Sequence, residues 1–420
     1  MNKEFNYVNP FTIKKSYIFF AVLFIYQYMI MSSVFYNLRF GSANLQITII
    51  TLLFIFCAYL SGPKIIKSLG WKVILVLYLG LIFIPLKILI GQLDIISIQG
   101  MRLFYMLPLF WSLYRVYADD DKSKDKVNKI IIWNCLFIAI FGIIHFFFFP
   151  SVVLSESLPP EVQAGNIYRV PGHFQEAAFF GNSSAYGCIL LTGLFGIYLS
   201  KKKDLLYSII FIVILLGVFL SVSRWATLFG VIVFVMFIKD KLKLRMRSLL
   251  QLFLILILLI FILSKLPYFS LTLQYAFEKW GLSAILSGES IIEQRIYAGR
   301  FPGYGVALKI LFGDLSHFFS GGPQMEDFII NGINFSDNSF IFLAIGYGVP
   351  LAILWILIVL FKMVPIQLIK TKAQFLLLIF FYGTIFSTPA LFWDIWVLYV
   401  LGIMHVTSMG TTACGINNYG

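Results

Sequence analysis

Charge is what this 420-residue chain has least of: Asp, Glu, Lys and Arg together make up 12% of it, against about a quarter in a soluble domain. With 60% hydrophobic residues and a mean hydropathy of +0.91, that deficit excludes an ordinary soluble protein. Acidic side chains are scarcer still, 19 against 32 basic ones, for a formal net charge of +13. The excess is not that of a nucleic-acid binder, because the basic residues fall in short clusters between apolar runs rather than on one face. Cysteine is sparse and unpaired in spacing. Cys57, Cys135 and Cys188 lie in or beside apolar runs and Cys414 in the tail, so neither a disulfide framework nor a metal site is indicated. No small-residue cleavage site follows the first apolar run, which therefore reads as a retained span rather than a signal peptide. Internal repeats and disordered low-complexity tracts are also lacking.

What is present is one apolar run after another. Crossing hydrocarbon as helix takes about 17–25 residues, and the chain fits that template about a dozen times. The first five runs are Tyr17–Tyr36, Leu45–Ser61, Lys72–Ile90, Met101–Ala118 and Ile130–Phe149. Then come Ala177–Leu199, Leu205–Val222, Trp225–Ile238 and Ser248–Lys265, and finally Asn338–Phe361, Ala373–Ser387 and Leu391–His405. The pattern predicts an all-α polytopic membrane protein of about 12 transmembrane helices. Residues 1–266 carry spans one to nine, with a short outer loop over 150–176; residues 267–337 form a large outer loop; residues 338–420 carry the last three spans and a cytoplasmic tail.

Orientation follows from the lysines. Lys14 and Lys15, Lys64 to Lys72, Lys122 to Lys129, Lys201 to Lys203, the Lys239–Arg247 cluster and Lys362 to Lys372 occupy every second connection. Cytoplasmic loops carry that excess, so both termini are expected inside. On this topology 19 of the 23 lysines face the cytoplasm, while six of the nine arginines (Arg39, Arg102, Arg169, Arg224, Arg295 and Arg300) lie at or near the outer face. Topology needs only charge, and lysine supplies it. Arginine adds a planar fork that grips phosphate with two parallel hydrogen bonds, so its enrichment outside suggests a pyrophosphate to be held and stabilised as it departs. Alternatively, these arginines pair with outer carboxylates such as Glu156, Glu161, Glu176, Glu289 and Glu293, or reach lipid headgroups. For Arg39 and Arg102 that plainer reading is preferred. Arg224 differs, because it stands in a turn of almost no length between two apolar runs, where an unpaired charge is costly.

Three outer segments hold the chemistry. Arg169-Val-Pro-Gly-His-Phe-Gln-Glu176 leads into the sixth span, and its Pro171-Gly172 turn would direct His173 and Glu176 towards the bundle. Glu176 suits a general base or an arginine partner; as a first-turn carboxylate favoured by the helix dipole it needs no such role. The corner Ser221-Val-Ser-Arg224 is the second segment. The third is the long loop Pro267–Asp337, where Leu271–Trp280 and Ser290–Tyr297 are candidate interfacial helices and Gly321-Gly322-Pro323 breaks any helix. Glycines 303, 305, 313, 321 and 322 would let that loop close. Tyr297, Phe301, Tyr304, Phe318 and Phe319 offer stacking faces for sugar rings or rest on the membrane interface. His317 reads first as an ordinary loop residue, and His145 and His405 as packing or interface residues.

These segments, with Asp337-Asn338-Ser339-Phe340 opening a span that continues Ala344-Ile-Gly-Tyr-Gly348, together resemble the Wzy-type O-antigen polymerases and the wider group of O-antigen ligases and exopolysaccharide polymerases. The resemblance covers most of the chain in layout and three short stretches in sequence. It implies a GT-C-like inner-membrane glycosyltransferase without metal or other cofactor, moving a growing glycan from undecaprenyl pyrophosphate to an undecaprenyl-pyrophosphate-linked repeat unit. It also implies catalytic roles for Arg169, Arg224 and one or both of Arg295 and Arg300; beside it, Glu176, or else His317 or Asp337, is expected to accept the proton, and Arg300, His173, His317, Asp337, Asn338 and Tyr304 are expected to contact substrate. A flippase and a chain-length regulator of the Wzz type are the implied protein partners, beside membrane lipid. Ligases typically carry His-Asn where this chain has Asp337-Asn338, which favours a polymerase. A flippase would be expected to show related halves, broken helices and polar groups near mid-membrane.

Overall fold

The structure, a computed structural model, describes residues 83–89, 102–118, 121–148, 183–200, 205–221, 223–240, 300–322, 338–364, 371–387 and 396–409, with a few isolated positions besides. The described residues are all helical and include no strand. The helices are α1 (Ile84–Leu89), α2 (Arg102–Tyr117), α3 (Asp121–Phe148), α4 (Ser183–Leu199), α5 (Leu205–Leu220) and α6 (Arg224–Asp240). They continue with α7 (Arg300–Gly313), α8 (Leu315–Ser320), α9 (Ser339–Tyr347), α10 (Val349–Ile358), α11 (Lys372–Ser387) and α12 (Trp396–Ser408). The predicted spans Tyr17–Tyr36 and Ser248–Lys265, nearly all of Leu45–Ser61, the loop 150–176 and the helices proposed for Leu271–Trp280 and Ser290–Tyr297 lie outside the described residues.

Helix α4 is the hub, packed against α3, α5, α6, α11 and α12. Its glycines let neighbours come close. A Cβ added at Gly193 would stand 2.6 Å from the Cβ of Cys135 on α3, and one at Gly187 would stand 2.6 Å from Ser221 Oγ. Small residues at such crossings bring backbones together where apolar burial alone discriminates poorly between partners. Helices α3 and α4, and α11 and α12, run antiparallel: Gly196, near the end of α4, lies against Asn128 at the start of α3, and Gln374 at the start of α11 donates to Thr407 O at the end of α12 (3.1 Å). The bundle therefore has a lysine-rich end, with Lys124, Lys239 and Lys372, and an opposite end, where α4 and α6 begin and α5 and α11 finish.

Outward faces are as apolar as inward ones. Along α5, Leu205, Ile209, Ile212, Leu216 and Phe219 recur at helical spacing and are all exposed, as are Trp133, Phe137, Ile140 and Ile144 on α3. Among the described residues one helix, over Asp121–Ile144, is by itself long and apolar enough to cross a membrane, and five shorter apolar helices accompany it.

Three elements differ from expectation. The run Asn338–Phe361 is not one helix but two, α9 and α10, split at Gly348, with a π-helical turn Val359–Met363 closing the second. The glycines 303, 305 and 313, expected to loosen the loop, lie within α7, since the apolar run around them is helical enough to absorb their cost of about 1 kcal/mol each. Helix α3 starts at Asp121, so Lys122, Lys124, Lys126 and Lys129 ride on helical turns rather than in a connection.

The split at Gly348 is made by a distant segment. Gly348 has φ 90° and ψ 155°, and Gly321, closing α8, has φ 88° and ψ 171°. That region of backbone space is open essentially to glycine alone. The two back onto each other's helices: a Cβ at Gly321 would fall on the carbonyl oxygen of Ile345, and one at Gly348 on that of Phe319. Gly322 N–H donates to Ile345 O (2.8 Å), supplying an acceptor-side bond that the interrupted helix lost. An aromatic group packs beside the break, with Tyr347 5.3 Å from Phe83 and 4.9 Å from Phe104, and Phe104 5.0 Å from Trp355 between ring centroids.

Candidate functional site

The best-defined polar feature at the end opposite the lysines is the corner between α5 and α6. Apolar α5 ends when Ser221 turns its hydroxyl back to Val218 O (2.6 Å), competing with the helical backbone as serine does. The same Oγ accepts from Ser223 N–H at 3.2 Å, and Ser223 O then accepts from Thr227 N–H at 2.8 Å, opening the next helix. Ser221, Ser223 and Thr227 are all buried. Ser221 and Ser223 are thus tied locally at this corner, and Gly187 of α4 packs directly against Ser221.

Arg224 is the first residue of α6, not the residue of a free turn as expected. A cation there meets the positive end of the helix dipole, an arrangement unfavourable by about 0.3–1 kcal/mol. The first-turn N–H groups of a helix start make a place suited to an anion, and the chain puts an arginine at that start. Trp225 beside it packs its ring over Gly383 of α11, 3.6 Å from a Cβ there, and Phe229 stacks at 5.0 Å from Phe380. Helices α6 and α11 thereby share this end.

A second set of polar residues is spread over α7, α8 and the start of α9. Asn338, expected to contact substrate, caps α9, its Oδ1 accepting from Phe340 N–H (2.9 Å) and Ile341 N–H (3.2 Å) and so holding the helix start. Arg300 is the first residue of α7. Tyr304 is half-buried and packs on the core, while His317 is half-buried on α8 and its carbonyl accepts from Gly321 N–H (2.9 Å). Arg300, Tyr304, His317 and Asn338 thus belong to α7, α8 and the cap of α9, helices that pack on one another, and α11 packs against both α9 and α6, which Arg224 opens. Arg169, His173, Glu176, Arg295 and Asp337 lie outside the described residues.

Lys87 was not expected here. It is 2% exposed, its ammonium 3.3 Å from Gly322 O and 5.9 Å from the centre of the Phe83 ring. It thereby ties α1 to the exit of α8. The signal in the sequence was a lysine inside an otherwise apolar run, which is costly unless partnered and for that reason worth singling out.

Asp314 caps α8, accepting from Ser316 N–H at 2.8 Å. That backbone hydrogen bond, with a weaker one from the Ser316 side chain, holds its carboxyl below the usual value. A depressed carboxylate contributes stability above its unfolded pKa and loses it as pH falls through the folded one. Amide exchange at Ser316 is therefore expected to accelerate between pH 5 and pH 3 beyond the intrinsic pH trend. In Asp314→Asn, which keeps the acceptor but not the titration, that extra acceleration should vanish.

Among the described residues no group of three or more His, Cys, Asp or Glu is placed to hold a metal ion. At the lysine-rich end His405 is fully buried, with Nδ1 2.7 Å from the hydroxyl of Tyr114, which also lies 2.7 Å from Ser408 Oγ. This is a packing position, as expected for His405, reinforced by a hydrogen-bond chain.

No protein-family model matches the chain, and neither a curated protein nor a solved structure matches it significantly. The likeness of its motifs to those of polysaccharide polymerases therefore rests on the residues quoted for it.

Proposed function

We propose that the protein is a glycosyltransferase of about twelve membrane spans that polymerises a bacterial surface polysaccharide at the outer face of the inner membrane. The observation that carries this reading is the corner at Ser221–Arg224, where an arginine opens a helix within a buried, hydrogen-bonded turn at the end of the bundle opposite the lysines. A cation in that place gains nothing from its own helix and is suited to a phosphate. The membrane setting is supported by the exposed apolar faces. Leaving one Leu, Ile or Phe side chain in water forgoes about 1.5–3 kcal/mol, and more than two dozen are exposed. Apolar residues exposed along whole helix faces, rather than singly, are what a lipid-facing bundle presents, and they support that setting.

The donor is a glycan on undecaprenyl pyrophosphate and the acceptor a sugar hydroxyl of a new repeat unit on the same carrier. Glu176 takes the acceptor proton, the acceptor oxygen bonds to the anomeric carbon, and the bond from that carbon to the pyrophosphate oxygen breaks. The pyrophosphate leaves with the electron pair, and its charge is met by Arg224 with Arg169, Arg295 and Arg300. Asn338 and Asp314 hold α9 and α8, and with them Tyr304 and His317, beside the glycan.

The split helix at Gly348 favours one other reading, a flippase for the same lipid-linked sugar, because discontinuous helices line transporter sites. Against it, the break is filled by Phe319 and Gly321 and bridged by Gly322. Deleting the gene separates the possibilities. A polymerase is expected to leave single repeat units on lipid core; a ligase would leave core with none and long chains stranded on carrier; a flippase would leave repeat units facing the cytoplasm. Either of the last two outcomes would end the polymerase reading.

A further inference from the structure

Helix α3 is the longest of the described helices, at 28 residues. At 1.5 Å per residue that is about 42 Å, whereas the hydrocarbon of a bilayer is about 30 Å thick. On the membrane reading, its first turns therefore stand clear of the hydrocarbon. One face of α3 is buried: Val127, Asn128, Ile131, Ile132 and Cys135 turn into the bundle, where α4 and α5 pack against the helix. On the other face Lys122, Lys126, Lys129 and Trp133 are exposed, and their spacing of four, three and four residues puts them in one row. Phe137, Ile140 and Ile144 prolong that row at the same spacing and are also exposed. The whole row lies within a sector of about 80°. From the helix start inward it reads lysines, then tryptophan, then purely apolar side chains.

Lys124 shows the other use of a lysine at this end. It is half-buried, and its ammonium donates to Ser408 O at the end of α12 (3.5 Å), a C-terminal carbonyl being a favourable partner for a cation. Lys122, Lys126 and Lys129 lie on the exposed side instead. Their own helix does not favour them there, because its start is the positive end of the dipole; the exposed Asp121 and Asp125 flank the row and offset part of that cost. Topology asks for cations on the cytoplasmic side, but not for cations in register with a lipid-facing row. A tryptophan one turn beyond the last lysine falls where indoles settle, between headgroups and hydrocarbon. We infer that this face of α3 is a binding site for an anionic phospholipid of the cytoplasmic leaflet. The lysines meet the charge of the headgroup, Trp133 stands at the level of the ester groups, and an acyl chain lies along Phe137, Ile140 and Ile144. Anionic lipid gathers at basic segments beside membrane spans in general, and the row gives that attraction a fixed place on the protein. The headgroup must carry net negative charge, as phosphatidylglycerol does, since a zwitterionic one returns a cation to the lysines. The inference uses only the membrane setting and stands whether or not the protein is a polymerase.

The test follows thermal unfolding of the full-length protein in detergent micelles by tryptophan fluorescence, while dioleoyl-phosphatidylglycerol or dioleoyl-phosphatidylcholine is titrated in. Wild type is expected to reach its half-maximal rise in Tm at a mole fraction of phosphatidylglycerol about tenfold lower than of phosphatidylcholine, and to lose that preference as salt is raised. The triple variant Lys122→Gln, Lys126→Gln, Lys129→Gln should respond to the two lipids alike, and the corresponding triple Arg variant should keep the preference. A second triple variant, Lys239→Gln, Lys309→Gln, Lys372→Gln, removes the same charge from other exposed positions and should also keep it. Should the first triple variant not be recovered from the membrane, Lys129→Gln alone, the lysine nearest Trp133 in the row, is read in the same way and should weaken the phosphatidylglycerol response about threefold. Equal responses of wild type to both lipids would overturn the inference. So would an undiminished preference in the variants of the row, or an equal loss in both triple Gln variants, which would reduce the effect to net charge.

Discussion

Arg224→Ala is expected to reduce polymer formation at least about 100-fold while leaving the protein folded and in the membrane fraction. The magnitude follows from losing a charge-assisted contact to a departing anion in a water-poor site, where removing one such group typically costs 100- to 1,000-fold in rate. Folding should not suffer, because the substitution removes a cation from the positive end of α6 and so relieves about 0.3–1 kcal/mol of unfavourable dipole interaction. Arg224→Lys keeps the charge but loses the planar fork, and is expected to fail nearly as badly. A gel of surface polysaccharide beside an immunoblot of the tagged protein decides it. Full-length ladders from Arg224→Ala would sink the site, and loss of the protein itself would show that the arginine is structural.

Gly348→Ala is expected to destabilise the protein by about 3 kcal/mol or more, enough to remove most of it from the membrane. Two effects combine. An alanine at φ 90° and ψ 155° sits in a region that costs of order 1–3 kcal/mol for any residue with a Cβ. That Cβ would also strike the carbonyl oxygen of Phe319, a backbone atom that cannot swing aside as a side chain would. Gly305→Ala is the contrasting case. It lies inside α7 with nothing within 4 Å of the added carbon, so the helix should gain about 0.5–1 kcal/mol. Fluorescence-detected size exclusion after a heating series reads both changes. A Gly348→Ala variant as stable as wild type would mean that α8 does not dock against the α9–α10 break.

The helices α5, α6 and α11 begin and end close to where the sequence predicts them, as does the end of α4, because each is an uninterrupted apolar run bounded by polar residues. The break at Gly348 was not legible. Ala344-Ile-Gly-Tyr-Gly-Val-Pro350 is apolar enough to read as continuing helix, and what opens it is Phe319, a residue of another segment. Helix α7 escaped for the opposite reason: glycines suggested a loose loop, but Ile310 and Leu311 on the core side, Leu311 fully buried, hold the segment helical. For the site, sorting lysine from arginine singled out Arg224 and Arg300 by type alone. It could not find Lys87. A hydroxyl in an apolar run looks the same whether it bonds its own helix, as Thr407 does, or meets no partner, as Thr227 does. That distinction is made by neighbouring helices and leaves no trace in local sequence.

The bond from Lys87 to Gly322 crosses 235 positions of chain. A ribosome adding about 5–20 residues each second needs roughly 12–47 s to deliver that carbonyl after the lysine has emerged. On the membrane reading, the ammonium must spend the interval stretched towards headgroups or water, as lysines near helix ends do, and be drawn inward only when the outer segment arrives. Biogenesis would then finish with a latch: α1 stays adjustable until the exit of α8 and the broken helix behind it are both made.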